Sequence, residues 1–120
     1  MTTPPEEGEF QCNEFHYDKT HISLKEPLKC LCTRGPSTEH KGKDVWTYEC
    51  TAISGSWISV EYDQQEAWDV FNEEFIFMWE EYACESDDKL APDAIKLKQL
   101  LLNLIDMVIV EEEEQDVDFD

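Results

Sequence analysis

The chain of 120 residues is long enough for one domain with one hydrophobic core. Apolar residues make up 41% of it, which is too many for a disordered chain despite a net charge of −20 from 29 acidic and 9 basic residues. A protein this acidic repels nucleic acid and anionic membranes, so we exclude both as direct partners.

The negative charge is concentrated in the second half of the chain. Residues 1–20 sum to −4, residues 21–50 to +1 and residues 51–120 to −17. Adaptation to high salt would spread acidic residues over all surfaces. The asymmetry therefore favours a binding face over a salt-adapted surface.

The sequence carries no signal for export or membrane insertion. The N-terminal MTTPPEEGEF is acidic and lacks the apolar region of a signal peptide, and no stretch of about 18 apolar residues exists. The five cysteines are odd in number and irregularly spaced. We therefore expect reduced thiols and a location in the cytoplasm of a host cell.

Short alternations of apolar and polar residues predict strands in the first part of the chain. Residues 10–15, 21–25 and 28–33 each fit a strand. Glu26-Pro27 is expected to interrupt the last two, because proline cannot donate to a strand ladder. The polar loop over 34–44 then holds the densest positive cluster, which we expect near the acidic helix or as a second contact point; it contains Arg34, Lys41 and Lys43.

A β-hairpin is predicted over residues 45–62. Its first strand is VWTYECTAI, its turn is Ser54-Gly55, and the returning strand begins at Trp57. We expect Trp46 and Trp57 on opposite faces of the sheet, only one of which can pack on the helices. An exposed Trp57 would then favour a homodimer through that face.

Residues 64–85 are predicted to form one amphipathic helix. Asp63 fits the N-cap position and Glu66 the capping-box position three residues later. The core-facing stripe consists of Trp68, Phe71, Phe75, Met78, Trp79 and Tyr82. The opposite arc carries Glu66, Asp69, Glu73, Glu74, Glu80, Glu81 and Glu85. Val70 and Phe77 interrupt this arc, which a purely solvating face would not need.

A second helix is predicted over residues 92–110, with Pro92 in its first turn. Its apolar stripe is wide enough to predict that the helix is largely buried; it includes Ala94, Leu97, Leu101, Leu104, Ile105 and Val108. Residues 111–120 are expected to form an acidic, flexible tail. The predicted architecture is α+β: one domain over residues 1–110, with a small antiparallel sheet of three to five strands (10–62) followed by two packed helices.

The sequence gives no support for a metal, a cofactor or an enzyme. The spacings Cys12-x₃-His16 and Cys30-x-Cys32 fit zinc sites poorly. There is no G-x-S-x-G, no glycine-rich phosphate loop and no H-E-x-x-H. A cysteine nucleophile paired with a histidine remains an alternative, but buried thiols are the better interpretation.

The row of carboxylates on the first helix is the candidate functional feature. Seven acids along about 28 Å of helix place one charge every ~4–5 Å, near the ~3.4 Å spacing of phosphates along one DNA strand. Such a row predicts an inhibitor that occupies the basic groove of a nuclease, CRISPR effector or restriction enzyme. The predicted contact residues are Glu66, Asp69, Glu73, Glu74, Glu80 and Glu81, with Phe77 as an apolar anchor.

Three alternatives share these observations. The acidic arc is, in the simplest, only a solvated face. An immunity protein or antitoxin that neutralises a basic toxin would need the same surface. In the third, the protein is an enzyme or metal protein whose acidity is incidental.

Overall fold

A computed structural model describes residues 3–51 and 57–111 as an antiparallel sheet with two helices on it. The strands are β1 (Gly8–Tyr17), β2 (Thr20–Pro36), β3 (Asp44–Cys50), β4 (Ile58–Glu61) and β5 (Ile105–Val110). The helices are α1 (Gln64–Met78), continued by a π-helical turn (Trp79–Ala83), a short 3₁₀ helix (Asp87–Lys89) and α2 (Pro92–Leu104). The predicted α+β class is confirmed. The turn at Ser54-Gly55 and the tail from residue 112 lie outside the described residues.

The long strand β2 organises the sheet. On one side it pairs with β1 at residues 20–23 and 28–32, while its other side is shared between β5, at residues 20–24, and β3, at residues 30–36. β4 follows β3, so the order is β1-β2-β3-β4 with β5 beside the first part of β2. None of the described helices is long and apolar enough to cross a lipid bilayer.

β2 runs without a break through Pro27, so the interruption predicted at Glu26-Pro27 is wrong. The reason is that no neighbouring strand needs a donor there. β1 has no partner for residues 24–27, and on the other side β5 pairing ends at Leu24 while β3 pairing begins at Cys30. A proline in this gap leaves no ladder hydrogen bond unmade.

The second helix is shorter than predicted, because residues 105–110 form β5 instead of helix. Four of the six residues in β5 are β-branched, which favours a strand. β2 also offers an unpaired edge, where Val108 lies opposite Ile22 and Ile105 opposite Leu24. The expectation of a largely buried helix is wrong as well, since α2 fully buries only Leu101.

An aromatic cluster fills the space between α1 and the sheet. Phe15 of β1 stacks on Phe75 of α1 with ring centroids 4.1 Å apart, and Trp57 stacks on Phe71 at 4.9 Å. The indole Nε1 of Trp57 donates to the Phe71 carbonyl at 3.0 Å, and only 8% of Trp57 is exposed. Trp57 and Trp46 therefore lie on the same face of the sheet, and the homodimer predicted through an exposed Trp57 has no basis.

α1 begins and faces the core as its sequence predicts. The Asp63 carboxylate caps it by accepting from the Glu66 amide at 2.9 Å. The first three residues of the predicted stripe are buried, and the last three are half-buried against the same core. The helix widens to a π turn from Trp79, which shifts the period of the last part of the stripe.

Asn72 ties α1 to the edge of β1. Its Oδ1 accepts from the backbone amide of His16 at 2.9 Å, and its Nδ2 donates to the Trp68 carbonyl. His16 pairs with His21 in the sheet, but its amide points away from β2 and toward α1. At this edge, the buried side chain of Asn72 therefore takes the place that a further strand would occupy.

Replacing Asn72 with alanine should destabilise the fold. The change removes both hydrogen bonds and leaves the His16 amide without an acceptor, which costs about 1–3 kcal/mol. Urea unfolding followed by circular dichroism measures the loss. The exposed Asn103 of α2 is the matched control, and its alanine variant should change the free energy of unfolding by less than about 0.5 kcal/mol. Equal effects at both positions would contradict the assigned role of Asn72.

Candidate acidic interface

The predicted contact residues lie together on the side of α1 and the π turn that faces away from the sheet. We call these residues the acidic ridge: Glu66, Asp69, Glu73, Glu74, Phe77, Glu80 and Glu81. All are exposed except Asp69, which is half-buried and accepts a hydrogen bond from Gln65 at 3.0 Å. The ring of Phe77 is 55% exposed in the middle of the ridge.

The segment that carries the ridge is rich in acids. Residues 61–88 hold eleven acids and no lysine or arginine. Arg34 pairs with Asp44 and Lys98 pairs with Asp87, and the imidazole of His21 lies 3.5 Å from Glu14. All three of these acids lie outside the ridge.

The positive cluster predicted at residues 34–44 contacts residues outside the ridge. Arg34 pairs with Asp44 at 3.0 Å, and its guanidinium lies 5.1 Å from the Trp46 ring. The Lys43 ammonium lies 5.6 Å from the Tyr62 ring. Arg34 and Lys43 thus contact their own loop and strands and Tyr62, the residue before the Asp63 cap of α1, and a role of the cluster as a second contact point stays a prediction.

A tyrosine that sequence reasoning missed completes the surface. The β1–β2 turn brings Tyr17 beside the ridge, where it lines a pocket together with Glu73, Phe77 and Glu80. A shallow pocket of about 150 Å³ opens between the turn and the helix. It is lined by Tyr17, Asp18, Thr20, Glu73, Ile76, Phe77 and Glu80. Two exposed aromatic rings thus lie among carboxylates.

The turn that holds Tyr17 has an unusual backbone. Asp18 has φ of 55°, a left-handed conformation that aspartate tolerates better than most residues. The sequence Tyr-Asp-Lys-Thr is the one signal that could have indicated a tight turn there. Nothing in the helical pattern of α1 indicates that residue 17 would lie beside residue 73, because that contact depends on the packing of β1.

The negative charge around Tyr17 makes its hydroxyl harder to deprotonate. The Glu73 carboxylate raises the pKa of the Tyr17 hydroxyl above its usual value, and Asp18 and Asp69 add smaller contributions. The cause is repulsion, because these carboxylates oppose formation of a phenolate. Tyr17 therefore stays protonated, and able to donate a hydrogen bond, at physiological pH.

The cysteines show the properties of core residues. Cys12, Cys30, Cys32 and Cys50 are buried on the inner face of the sheet, and Cys84 is exposed. Burial raises the pKa of the Cys12 thiol to about 11, and a hydrogen bond with Cys50 raises that of Cys30. Such thiols are poor nucleophiles at neutral pH. Among the described residues, no three His, Cys, Asp or Glu side chains are arranged to hold a metal ion.

No protein-family model matches the chain, and no curated protein or solved structure is significantly similar to it. The function must therefore be argued from the charge and geometry of the molecule itself.

Substituting Glu73 with glutamine should lower the pKa of Tyr17 toward its usual value, because the largest repulsive charge is removed. An NMR titration that follows the Tyr17 ring carbon Cζ measures this pKa. The Glu74→Gln variant removes a charge from the next residue, which does not contribute at Tyr17, and should leave the pKa unchanged. Equal shifts in the two variants would show that Tyr17 does not contact Glu73.

Proposed function

We propose that this protein is an acidic inhibitor that imitates nucleic acid and occupies the basic groove of a nucleic-acid-binding enzyme. It would act in the cytoplasm of a host cell as an anti-defence protein of a phage or mobile element, directed against a CRISPR effector or a restriction enzyme. The observation that carries the proposal is the acidic ridge, because five of its six carboxylates are exposed along one side of the helix, in a segment (61–88) that contains no lysine or arginine.

The spacing of the ridge supports imitation of a phosphate backbone. From Glu66 to Glu81 the helix rises about 22 Å and carries six carboxylates, or one charge per ~4 Å. One strand of duplex DNA carries one charge per ~3.4 Å. A groove whose lysines and arginines are spaced for phosphates can therefore contact several of these carboxylates at once.

The ridge is also held rigidly, which favours tight binding. The opposite side of α1 is fixed by Trp68, Phe71 and Phe75, all of which are buried. A preorganised row of charges loses little conformational freedom when it binds, so more of its interaction energy appears as affinity. A flexible acidic tail of the same charge would lose that freedom on binding.

Phe77 and Tyr17 add what a phosphate backbone lacks. Their exposed rings lie within the acidic surface, where an arginine of the partner can stack on a ring and pair with Glu73 or Glu80. Aromatic and arginine side chains are the residue types that dominate binding energy at protein interfaces. These contacts would let the inhibitor distinguish one basic groove from others.

Reversing four ridge charges should abolish inhibition. The variant carries lysine in place of Glu73, Glu74, Glu80 and Glu81, and we expect its affinity to fall by about a hundredfold or more, because attraction becomes repulsion. The measurement is cleavage of a labelled duplex by purified CRISPR effectors and restriction nucleases in the presence of each variant. An inhibitor that keeps its potency after the reversal would contradict the proposal.

A matched control separates the ridge from net charge. Reversing four exposed acids away from α1 gives a protein of identical net charge; they are Glu6, Glu9, Glu26 and Glu39. This control should still inhibit, with an association rate reduced only by the weaker long-range field. Equal loss of inhibition in both variants would show that overall charge, and not the ridge, is responsible.

A second candidate function is that of an immunity protein or antitoxin bound to one basic toxin. The exposed rings of Tyr17 and Phe77 favour it, because they suit a partner-specific contact whether or not the partner binds nucleic acid. Competition distinguishes the two functions. Excess duplex DNA or RNA displaces the nucleic-acid mimic from its partner, whereas a toxin that binds no nucleic acid stays bound.

Binding through the ridge should weaken as salt rises, because exposed charges are screened within ~8 Å at physiological ionic strength. We expect the affinity to fall about tenfold or more between ~0.05 M and ~0.2 M salt, measured by calorimetry with the identified partner. The unbound protein should respond oppositely and melt at a higher temperature, since screening relieves its own repulsion. An affinity that does not change with salt would point to an apolar interface.

A further inference from the structure

The C-terminal unit formed by α2 and β5 leaves much apolar surface uncovered. Five large apolar side chains there are between 38% and 55% exposed: Leu100, Leu102, Met107, Ile109 and Val110. They are half of all the large apolar side chains that the described chain exposes. Single exposed apolar residues need no explanation, but a group on one helix and the following strand is typical of an interaction surface.

The same unit is the part of the chain's second half that carries no excess of negative charge. Residues 89–110 hold three lysines and two aspartates, whereas residues 61–88 hold eleven acids and no base. In a protein of net charge −20, two copies repel each other over most orientations. The α2–β5 unit itself therefore repels a second copy less than the acidic ridge does, although seven acids follow it at residues 111–120.

β5 is also an open edge of the sheet. In the described chain it pairs with β2 alone. The Glu111 amide donates to the Lys19 carbonyl, which fixes the alternation of the ladder: the amides of Met107 and Ile109 point to β2, and those of Val108 and Val110 point outward. Such a row of unpaired backbone groups is a template for another strand.

The other edges of the sheet differ from this one. The β1 edge is covered where the Asn72 side chain accepts the His16 amide. β4 exposes Ile58 and Val60, but it has only four residues, one of which is the acidic Glu61. β5 has six residues and a single acid, Asp106.

We propose that the protein forms a two-fold symmetric dimer in which β5 of one copy pairs antiparallel with β5 of the other. A strand that pairs with itself about a two-fold axis gives a closed, isologous interface. Met107 and Ile109 of the two copies then cover one another on the outer face of a sheet that continues across the dimer. Antiparallel pairing places the two copies of Glu111 at opposite ends of the interface, where they do not face each other. This proposal does not depend on the proposed inhibitory function.

Sedimentation velocity of the full chain over a range of concentrations tests the dimer. We expect a concentration-dependent shift from 14.1 kDa to twice that mass. The dimer should become tighter as salt rises, because screening reduces repulsion between the acidic copies. Binding through the acidic ridge changes with salt in the opposite direction, so failure of either idea can be recognised without the other. A protein that stays monomeric at high concentration and high salt overturns the proposal and leaves the face to a different partner.

Paired variants locate the interface. Lysine at Met107 and Ile109 places like charges across the two-fold axis and should weaken the dimer about tenfold or more. Lysine also lowers the net negative charge of the protein, so general repulsion cannot explain such a loss. The control carries lysine at Ile58 and Val60 of β4, which are 53% and 51% exposed against 51% and 49% for the β5 pair. Loss of the dimer in the β4 variant alone overturns the proposal.

Hydrogen exchange gives a readout that does not require a variant. The outward amides of Val108 and Val110 should exchange rapidly in dilute protein and become protected as concentration rises, while those of Ile58 and Val60 should not change. Protection of the β4 amides in place of the β5 amides would contradict pairing through β5.

Discussion

The stacking of Phe15 on Phe75, with ring centroids 4.1 Å apart, holds the acidic helix on the sheet. Both rings are fully buried, as is Phe71, whose ring centroid lies 6.1 Å from that of Phe15. Each buried phenylalanine contributes about 1.5–3 kcal/mol, and each well-placed ring pair adds about 0.5–1.5 kcal/mol. Repulsion between exposed carboxylates one turn apart on a helix costs only about 0.2–0.5 kcal/mol per pair. The aromatic cluster therefore outweighs the repulsion along the ridge.

The packing of α1 on the sheet also determines which side chains the molecule presents to solvent. With the aromatic side of the helix fixed on the sheet, the carboxylates on its other side must face outward and cannot turn inward to find a partner. A solvated face would show the same exposed acids. The exposed rings of Phe77 and Tyr17 favour the binding face that we propose, because exposing two apolar rings among carboxylates does nothing for solubility.

The sequence predicts those features of α1 that depend only on residues close together in the chain. The period of Trp68, Phe71 and Phe75 gave the helix and its buried face, and Asp63 gave its start. The contacts of Asn72 and Tyr17 with residues more than fifty positions away could not be predicted, because they depend on how β1 packs against α1.

The end of α2 shows where a periodicity misleads. The 3.6-residue stripe of α2 continues through Ile105 and Val108, so the helical pattern alone gives no reason to stop at Leu104. The end of the helix is decided by a contact that is distant in sequence. Without β5, the first part of β2 would have a free edge. A strand beside it satisfies backbone groups of both strands, whereas a longer helix would satisfy none of those on β2. The side chains that a helix would have directed toward a core are instead divided between two faces of a strand.

The acidic ridge lies on α1 and the π turn, and the exposed side chains of Met107 and Ile109 lie on β5. In a dimer joined through β5, the two ridges are related by a two-fold axis. A second ridge increases the apparent affinity only if the target has two grooves that both ridges can reach at once. The arrangement therefore fits a target that is itself two-fold symmetric, while a target with one groove would engage a single ridge and gain nothing from the dimer.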